Sequence, residues 1–486
     1  MRKRTLLLAT VLTTGLTTGL LTPVLPAATA SAATAPSRLA HDFNGDGYRD
    51  LAIGSWGATV GSAHGAGAVV VMYGSASGVS TAASKKAVFT QNSPGVAGTA
   101  EADDRFGYSL AAGDLDGDGY SDLVVGAQYE STGTKRGVGE LTVLWGGKSG
   151  LSGGVTLPQP GGLTEWGGYG SDVAVADVDG DGKADVTATG QTVTRLYNGP
   201  FTRAGKPRTH LPVEGIGTTY EVTAGDLNGD RKAERVYPMA VDGDERGDIR
   251  YATHAPGNEQ FPESDYALIA LPGADGDPGA VGDINGDGYG DLVLGDYRDP
   301  SSDLPGGNKG GRISVWYGSK NGPDPAQRPT VIHQDTPGVP GAGENGDLFG
   351  SAVAVGDVNG DGLADVAVGA WGEDNGTARD SGSVTVLFGS RTGLTGTGAK
   401  SFTQNTAGVP GASETGDAFG LSVQLTDLTK DRRAELVIGT GYENENGAVT
   451  VLRGAAAGPA TSQAASFTAA AAGVKGSATF AWELAE

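Results

Sequence analysis

Short apolar runs that contain or end in glycine recur along the whole chain. LAIGS (51–55), LVVGA (123–127), LVLGD (292–296), VAVGA (366–370) and LVIGT (436–440) are almost unbroken apolar stretches. Runs of this length, rich in Val, Ile and Leu and bounded by turn residues, predict strands buried on both faces. A second set alternates apolar and polar positions: GAVVVMYG (67–74), GELTVLWG (139–146), GRISVWYG (311–318), GSVTVLFG (382–389) and GAVTVLRG (447–454). Alternation with β-branched residues predicts strands. The closing glycine, often in a G-S-x-x-G-like turn, predicts a hairpin. YSLAAG (108–113), SAVAVG (351–356) and AVFTQ (87–91) supply further strands, about four to a unit. The pattern predicts an all-β chain.

A polar nonapeptide leads into the Gly-containing apolar strand of each unit. It reads DFNGDGYRD from Asp42, DLDGDGYSD from Asp114, DVDGDGKAD from Asp177, DINGDGYGD from Asp283 and DVNGDGLAD from Asp357. Positions 1, 3, 5 and 9 carry side-chain oxygens. They are Asp42, Asn44, Asp46 and Asp50; Asp114, Asp116, Asp118 and Asp122; Asp177, Asp179, Asp181 and Asp185; Asp283, Asn285, Asp287 and Asp291; Asp357, Asn359, Asp361 and Asp365. Position 7 (Tyr48, Tyr120, Lys183, Tyr289, Leu363) offers its main-chain carbonyl. Glycines between them allow a tight turn. An all-oxygen cage of this kind is the ligand set of a hard cation such as Ca²⁺. An EF-hand would need an acidic twelfth residue and an exiting helix. Position 12 is instead Ile53, Val125, Ala188, Leu294 or Val368, inside a strand run. Each loop is therefore a turn between two strands.

Two altered copies, DLNGDRKAE from Asp226 and DLTKDRRAE from Asp427, bring the series to seven, spaced 72, 63, 49, 57, 74 and 70 residues apart. In these, Arg231 and Arg432 replace a glycine whose left-handed backbone a Cβ resists. Glu234 and Glu435 replace the last Asp. The expectation is that a side-chain cation, Arg231 or Lys232 and Arg432 or Arg433, takes the ion's place there, leaving about five structural Ca²⁺ ions. Seven repeats of four short strands predict a seven-bladed β-propeller, because only stacking on neighbours buries both faces of each sheet. The third and fourth units are shorter and lack Phe-Gly; they are read as blades with trimmed loops. The C-terminal FAWELAE (480–486) resembles FGYSLAA (106–112) and is expected to pair beside the first blade and latch the ring.

FGSAVAVGDVNGDGLADVAVGA (349–370) and FGYSLAAGDLDGDGYSDLVVGA (106–127), joined by segments such as QDTPGVPG (334–341), resemble the FG-GAP repeat of the integrin α-subunit N-terminal propeller. The resemblance covers roughly residues 37–477. It implies a seven-bladed propeller with Ca²⁺ in its inter-strand loops and a role in adhesion or ligand recognition. The same repeats accompany a phospholipase D acting on glycosylphosphatidylinositol, whose zinc catalytic domain finds no counterpart in this sequence.

Charge and composition narrow the function. The net charge is −23, which disfavours nucleic acid and anionic membranes as partners. Much of the acidity belongs to the loops themselves. The chain has 84 Gly and no Cys, so no disulfide staples it. Arg2, Lys3 and Arg4, then the apolar stretch Leu6 to Leu21, then A-x-A-like sites near Ala30 to Ala33 predict a secretory signal peptide over 1–33. The propeller then spans 34–486. The expected product is a secreted monomer, not inserted in a membrane.

No catalytic constellation emerges. The histidines His41, His64, His210, His254 and His333 show no paired metal spacing. His41 reads as a strand residue. Arg246-Gly247-Asp248, the tripeptide that integrins recognise, reads as part of a strand signal. The expected function is a non-catalytic adhesion or ligand-binding protein with a protein or glycan partner. The alternative is a secreted propeller hydrolase acting on glycan or lipid. Candidate binding loops are Gly57 to Gly65, Gln128 to Arg136, Asp299 to Asn308 and Trp371 to Asp380.

Overall fold

The computed structural model describes residues 39–219, 221–239, 249–255, 266–272, 274, 276, 279–300, 307–476 and 479–485. The signal-peptide expectation, Arg246-Gly247-Asp248 and most of the Asp299–Asn308 loop lie outside them. The described chain forms seven antiparallel sheets whose strands pair in chain order. Blade 1 holds Leu51–Ser55, Ala68–Met72 and Lys86–Phe89. Blade 2 holds Phe106–Gly113, Asp122–Ala127, Glu140–Trp145 and Ser152–Thr156. Blade 3 holds Asp172–Ala176, Asp185–Thr189, Arg195–Asn198 and Thr209–Pro212. Blade 4 holds Thr223–Gly225, Glu234–Pro238, Ile249–His254 and Tyr266–Leu271. Blade 5 holds Gly279–Gly282, Asp291–Asp296, Arg312–Trp316 and Thr330–Ile332. Blade 6 holds Phe349–Gly356, Asp365–Ala370, Ser383–Leu387 and Lys400–Phe402. Blade 7 holds Phe419–Thr426, Glu435–Thr440, Ala448–Arg453 and Ala460–Thr468. This is a seven-bladed β-propeller, and the two short units are complete four-stranded blades.

The burial pattern explains why the sequence reads as it does. The strand following each acidic loop is buried along its whole length in all seven blades. It carries neighbours on both faces, so in blades 1, 2, 5, 6 and 7 it is mostly apolar without alternation, whereas in blades 3 and 4 it also buries Thr187, Thr189 and Arg235. The last strand of blade 7, Ala460–Thr468, is by contrast largely open to solvent. Seven apolar clusters lie one between each adjacent pair of blades, for example Val69, Phe89, Phe106 and Leu123 between blades 1 and 2. Leu51, Ile53, Val437, Val449 and Phe480 join blade 7 to blade 1. With no end blade left uncovered, the ring needs no polar cap.

The strand glycine is set by a backbone approach. A Cβ on Gly54 would lie 2.3 Å from the Gly107 carbonyl oxygen of the next blade. At the ring closure, a Cβ on Gly439 would likewise lie 2.3 Å from the Ala481 carbonyl oxygen. The C-terminal segment therefore occupies the place that Phe106-Gly107 holds in blade 2. Ile53 bridges Leu484, and Gly54 N donates to Glu483 O at 2.8 Å, supplying the innermost strand that blade 1 otherwise lacks. Phe480 N donates to Asn446 O at 3.1 Å, as Phe106 N does to Ala66 O at 3.0 Å. The expected latch is present. In blade 3, Tyr169-Gly170 takes the place of Phe-Gly, with Tyr169 N donating to Val138 O at 2.9 Å.

One local expectation fails. His41 lies in a turn with φ of 66°, not in a strand, because the chain must reverse into the first loop there. Arg231 and Arg432 adopt the left-handed backbone despite their Cβ, at φ of 69° and 67°. In each, the position 1 Asp carboxylate accepts the Arg main-chain N–H at 2.8 Å, which holds the conformation.

Candidate metal centre

Each acidic loop is a turn wound around its first carboxylate. Asp42 Oδ1 accepts the Asp46 N–H at 3.1 Å and Oδ2 accepts that of Gly47 at 2.8 Å. Asn44 Oδ1 accepts Asp46 N–H at 2.9 Å, and Asp46 Oδ1 accepts Tyr48 N–H at 3.0 Å. Asn285 and Asn359 repeat the Asn44 bond at 2.8 Å. The position 5 to position 7 bond recurs at Tyr120, Lys183, Tyr289 and Leu363. Such a turn draws the side chains of positions 1, 3 and 5 to one side.

The ninth residue is the anchor. Asp50 is fully buried; it accepts Phe43 N–H at 2.9 Å and Gly74 N–H at 2.9 Å. Its carboxylate thus ties the start of the loop to the end of the next strand. Asp122 does the same with Leu115 and Gly146, Asp185 with Val178 and Gly199, Asp291 with Ile284 and Gly318, and Asp365 with Val358 and Gly389. Burial is the main cause that pushes these carboxyls up: Asp50 to about 8, Asp122, Asp185 and Asp365 to about 7, Asp291 to about 6. The neighbouring loop carboxylates push the same way, and the main-chain donors oppose both.

The donor set fits a hard cation. Asp114, Asp116 and Asp122 bring one carboxylate oxygen each within 4.8 Å of one another, and so do Asp177, Asp179 and Asp185. Asp114 Oδ1 is buried and has no hydrogen-bond partner, which leaves a lone pair for an ion. Two arginines, not anticipated from sequence, also reach these loops. Arg203 pairs with Asp116 at 2.7 Å and with Asp118 at 2.5 Å; Arg208 pairs with Asp179, and with Asp181 at 3.5 Å.

The altered loops are filled differently from expectation. Among the described residues no side-chain ion pair of Arg231, Lys232 or Arg432 with the loop carboxylates spans them; Arg433 reaches Asp431 only at 3.9 Å and donates to Asn359 O of the preceding loop at 3.2 Å. Instead position 3 hydrogen-bonds to position 9. Asn228 Nδ2 donates to Glu234 Oε1 at 2.7 Å, and Thr429 Oγ1 donates to Glu435 Oε1 at 3.2 Å. The extra methylene of Glu carries its oxygen to a donor on the other side of the turn. Arg453 adds a pair to Glu435 at 3.6 Å.

The loops also touch each other. A Cβ on Gly45 would meet the Tyr120 ring at 2.5 Å, so position 7 of one loop sits on position 4 of the loop before it. Lys183 over Gly117, Lys232 over Gly180, Tyr289 over Gly229, Leu363 over Gly286 and Arg433 over Gly360 repeat the contact. Main-chain bonds run alongside: position 8 donates to the position 1 carbonyl of the preceding loop at Ser121–Asp42 (3.0 Å), Ala233–Asp177 (2.8 Å), Gly290–Asp226 (3.0 Å), Ala364–Asp283 (2.9 Å) and Ala434–Asp357 (2.7 Å).

The FG-GAP repeat pattern matches residues 39–72, 106–144, 349–387 and 419–452, which fall in blades 1, 2, 6 and 7. The phosphatidylinositol-glycan-specific phospholipase D of Rattus norvegicus is 40% identical over 114 residues, 24% of this chain and 13% of that protein. Integrin alpha pat-2 of Caenorhabditis briggsae is 29% identical over 276 residues, 56% of this chain and 18% of that protein. Integrin alpha-PS2 of Drosophila melanogaster is 29% identical over 276 residues, 56% of this chain and 16% of that protein. The chain therefore spans less than a fifth of the length of these relatives.

Proposed function

This chain is an FG-GAP repeat β-propeller that resembles integrin α subunits over about half its length, and from that premise we propose that it is an exported, calcium-stabilised binding module without catalytic activity. The observation that supports this reading is the ninth carboxylate. It is buried, it joins the loop to the following hairpin, and at Asp122 and Asp185 it lies within 4.8 Å of two further carboxylate oxygens of its loop. Buried carboxylates crowded in this way are stabilised by a divalent cation. The ion's ligands would be positions 1, 3, 5 and 9 and the position 7 carbonyl of the loops at Asp42, Asp114, Asp177, Asp283 and Asp357. It would act as a structural clamp.

Adhesion or ligand capture is favoured over catalysis because the loop carboxylates are engaged by main-chain donors. A protein or glycan ligand is the partner class. The phospholipase D likeness favours a second reading, a hydrolase acting on glycan or lipid. Glycan and protein arrays probed with and without EDTA test both. Reversible capture supports the binding module; turnover of an arrayed glycan or glycolipid overturns it. Among the described residues no helix is long and apolar enough to cross a membrane.

A further inference from the structure

On the face opposite the acidic loops, the innermost strands open into a cavity of about 370 Å³. That volume lies at the small end of the range for small-molecule sites, about 300–1,000 Å³. Tyr297 and Trp371 stand just beyond the far ends of the buried strands of blades 5 and 6, and Trp482 sits on the C-terminal segment of blade 1. All three rings are half-buried. Glu221 and Glu483 line the same cavity, with Ser351 and Ser422. The acidic loops contribute nothing to it.

Aromatic faces beside two carboxylates would suit a cation, but arginines already lie against the surrounding rings. The Arg298 guanidinium lies 4.9 Å from the Tyr297 ring centre. The Arg105 guanidinium lies 4.6 Å from the Trp56 ring and 4.4 Å from that of Tyr129, and Trp56 meets Trp482 edge-on at 5.6 Å. Both arginines are held against aromatic rings beside the cavity, and neither is among its lining residues. What the mouth presents is aromatic surface with hydrogen-bond acceptors and donors around it. That combination matches a neutral polyhydroxylated ring, whose C–H face packs on an indole while its hydroxyls bond to carboxylate and serine hydroxyl groups.

We propose that this channel mouth is a saccharide site that takes a neutral pyranoside, with Trp371 as the stacking platform and Glu221 as a hydroxyl acceptor. The proposal rests on the binding-module reading and gives it a place and a ligand class. The test is saturation-transfer NMR on the full chain in calcium, with the methyl pyranosides of glucose, galactose, mannose and N-acetylglucosamine as probes. The expected result is transfer to the ring C–H protons of at least one. Trp371→Ala should weaken that binding about ten-fold, the loss of one ring contact, while Trp371→Phe retains most of it; Glu221→Gln should weaken it by less. Absence of transfer to all four probes, or transfer unchanged in Trp371→Ala and Glu221→Gln, overturns the site. Preferential transfer to tetramethylammonium also overturns it, in favour of cation recognition. Capture of a probe elsewhere on the chain would leave the binding-module reading standing. Release of methanol, lost in Trp371→Ala, would support the site and overturn the non-catalytic reading.

Discussion

The Lys430 ammonium lies 5.7 Å from the centre of the Tyr48 ring, and the same ammonium would be 2.6 Å from a Cβ on Gly47. Six loop-to-loop contacts run round the face from blade 1 to blade 7, each with position 7 of the later loop on position 4 of the earlier one. The seventh contact continues the series round the ring: position 7 of the first loop, Tyr48, meets position 4 of the last, Lys430. The loops are thereby joined into a ring of their own, beneath the ring of blades. A double-mutant cycle on Lys430→Ala and Tyr48→Ala, read by denaturant unfolding, should give a coupling of about 0.5–1 kcal/mol. Purely additive effects would show the contact to be incidental.

Metal removal is the second test. At free calcium ten times a site's dissociation constant, each occupied loop adds roughly 1.4 kcal/mol. EDTA should lower Tm clearly, and added calcium should restore it. Metal analysis should saturate at about five ions, because Asn228–Glu234 and Thr429–Glu435 already close the remaining two loops with internal hydrogen bonds. Seven ions would refute that account. A Tm unmoved by chelation would refute the clamp itself.

The C-terminal segment supplies a strand, so its loss should cost far more than trimming a free tail. Phe480 is fully buried between blades 7 and 1. Phe480→Ala should cost about 3–5 kcal/mol, and deletion of 478–486 at least as much, both read as a fall in Tm. A Tm within a degree of the intact chain would remove the latch.

How far these features can be read from sequence depends on how local they are. The loops and most of the buried strands show plainly, because nine consecutive residues close each acidic turn and a strand covered on both faces is mostly apolar. The latch shows because FAWELAE copies FGYSLAA. The filling of the altered loops does not: Arg231 and Arg432 draw the eye as charges, whereas one methylene in Glu234 and Glu435 decides the outcome. Tyr169 escapes a search for Phe-Gly although it occupies the same interblade position. Arg203 lies 87 residues from Asp116, and the channel mouth gathers residues from five blades. Neither has a sequence period to reveal it.

Gly54 offers a sharp backbone test. A Cβ there would stand 2.3 Å from the Gly107 carbonyl oxygen and 2.9 Å from Glu483 Cβ, with no flexible side-chain end to yield on the first side. Gly54→Ala should destabilise by about 1–3 kcal/mol or more, measured by denaturant midpoint. Gly61→Ala is the control on the same blade. Its Cβ would meet nothing within 4 Å, so only the strain of its φ of +62° remains. Equal effects of the two would argue against the close approach as the reason for the strand glycine.

The joining segments carry a pH dependence separate from the loops. Gln91 Nε2 donates to Glu130, Gln334 to Glu373 and Gln404 to Glu443, each 39 residues on and in the following blade. Burial, reinforced by Asp104, pushes Glu130 up from its usual 4.5 to about 8; burial, reinforced by Asp347, pushes Glu373 up to about 7. A carboxyl raised on folding holds its proton more tightly in the native state. Its contribution is therefore intact below the unfolded pKa, near 4.5, and is lost as pH rises through the folded value. Between about pH 4.5 and 8 these two groups should make stability decline with pH. Glu130→Gln keeps an acceptor for Gln91 but removes the titration. It should flatten the slope of denaturant stability over that window, and its benefit relative to the parent chain should grow from pH 5 to pH 8. An unchanged slope would mean that Glu130 stays ionised in the fold.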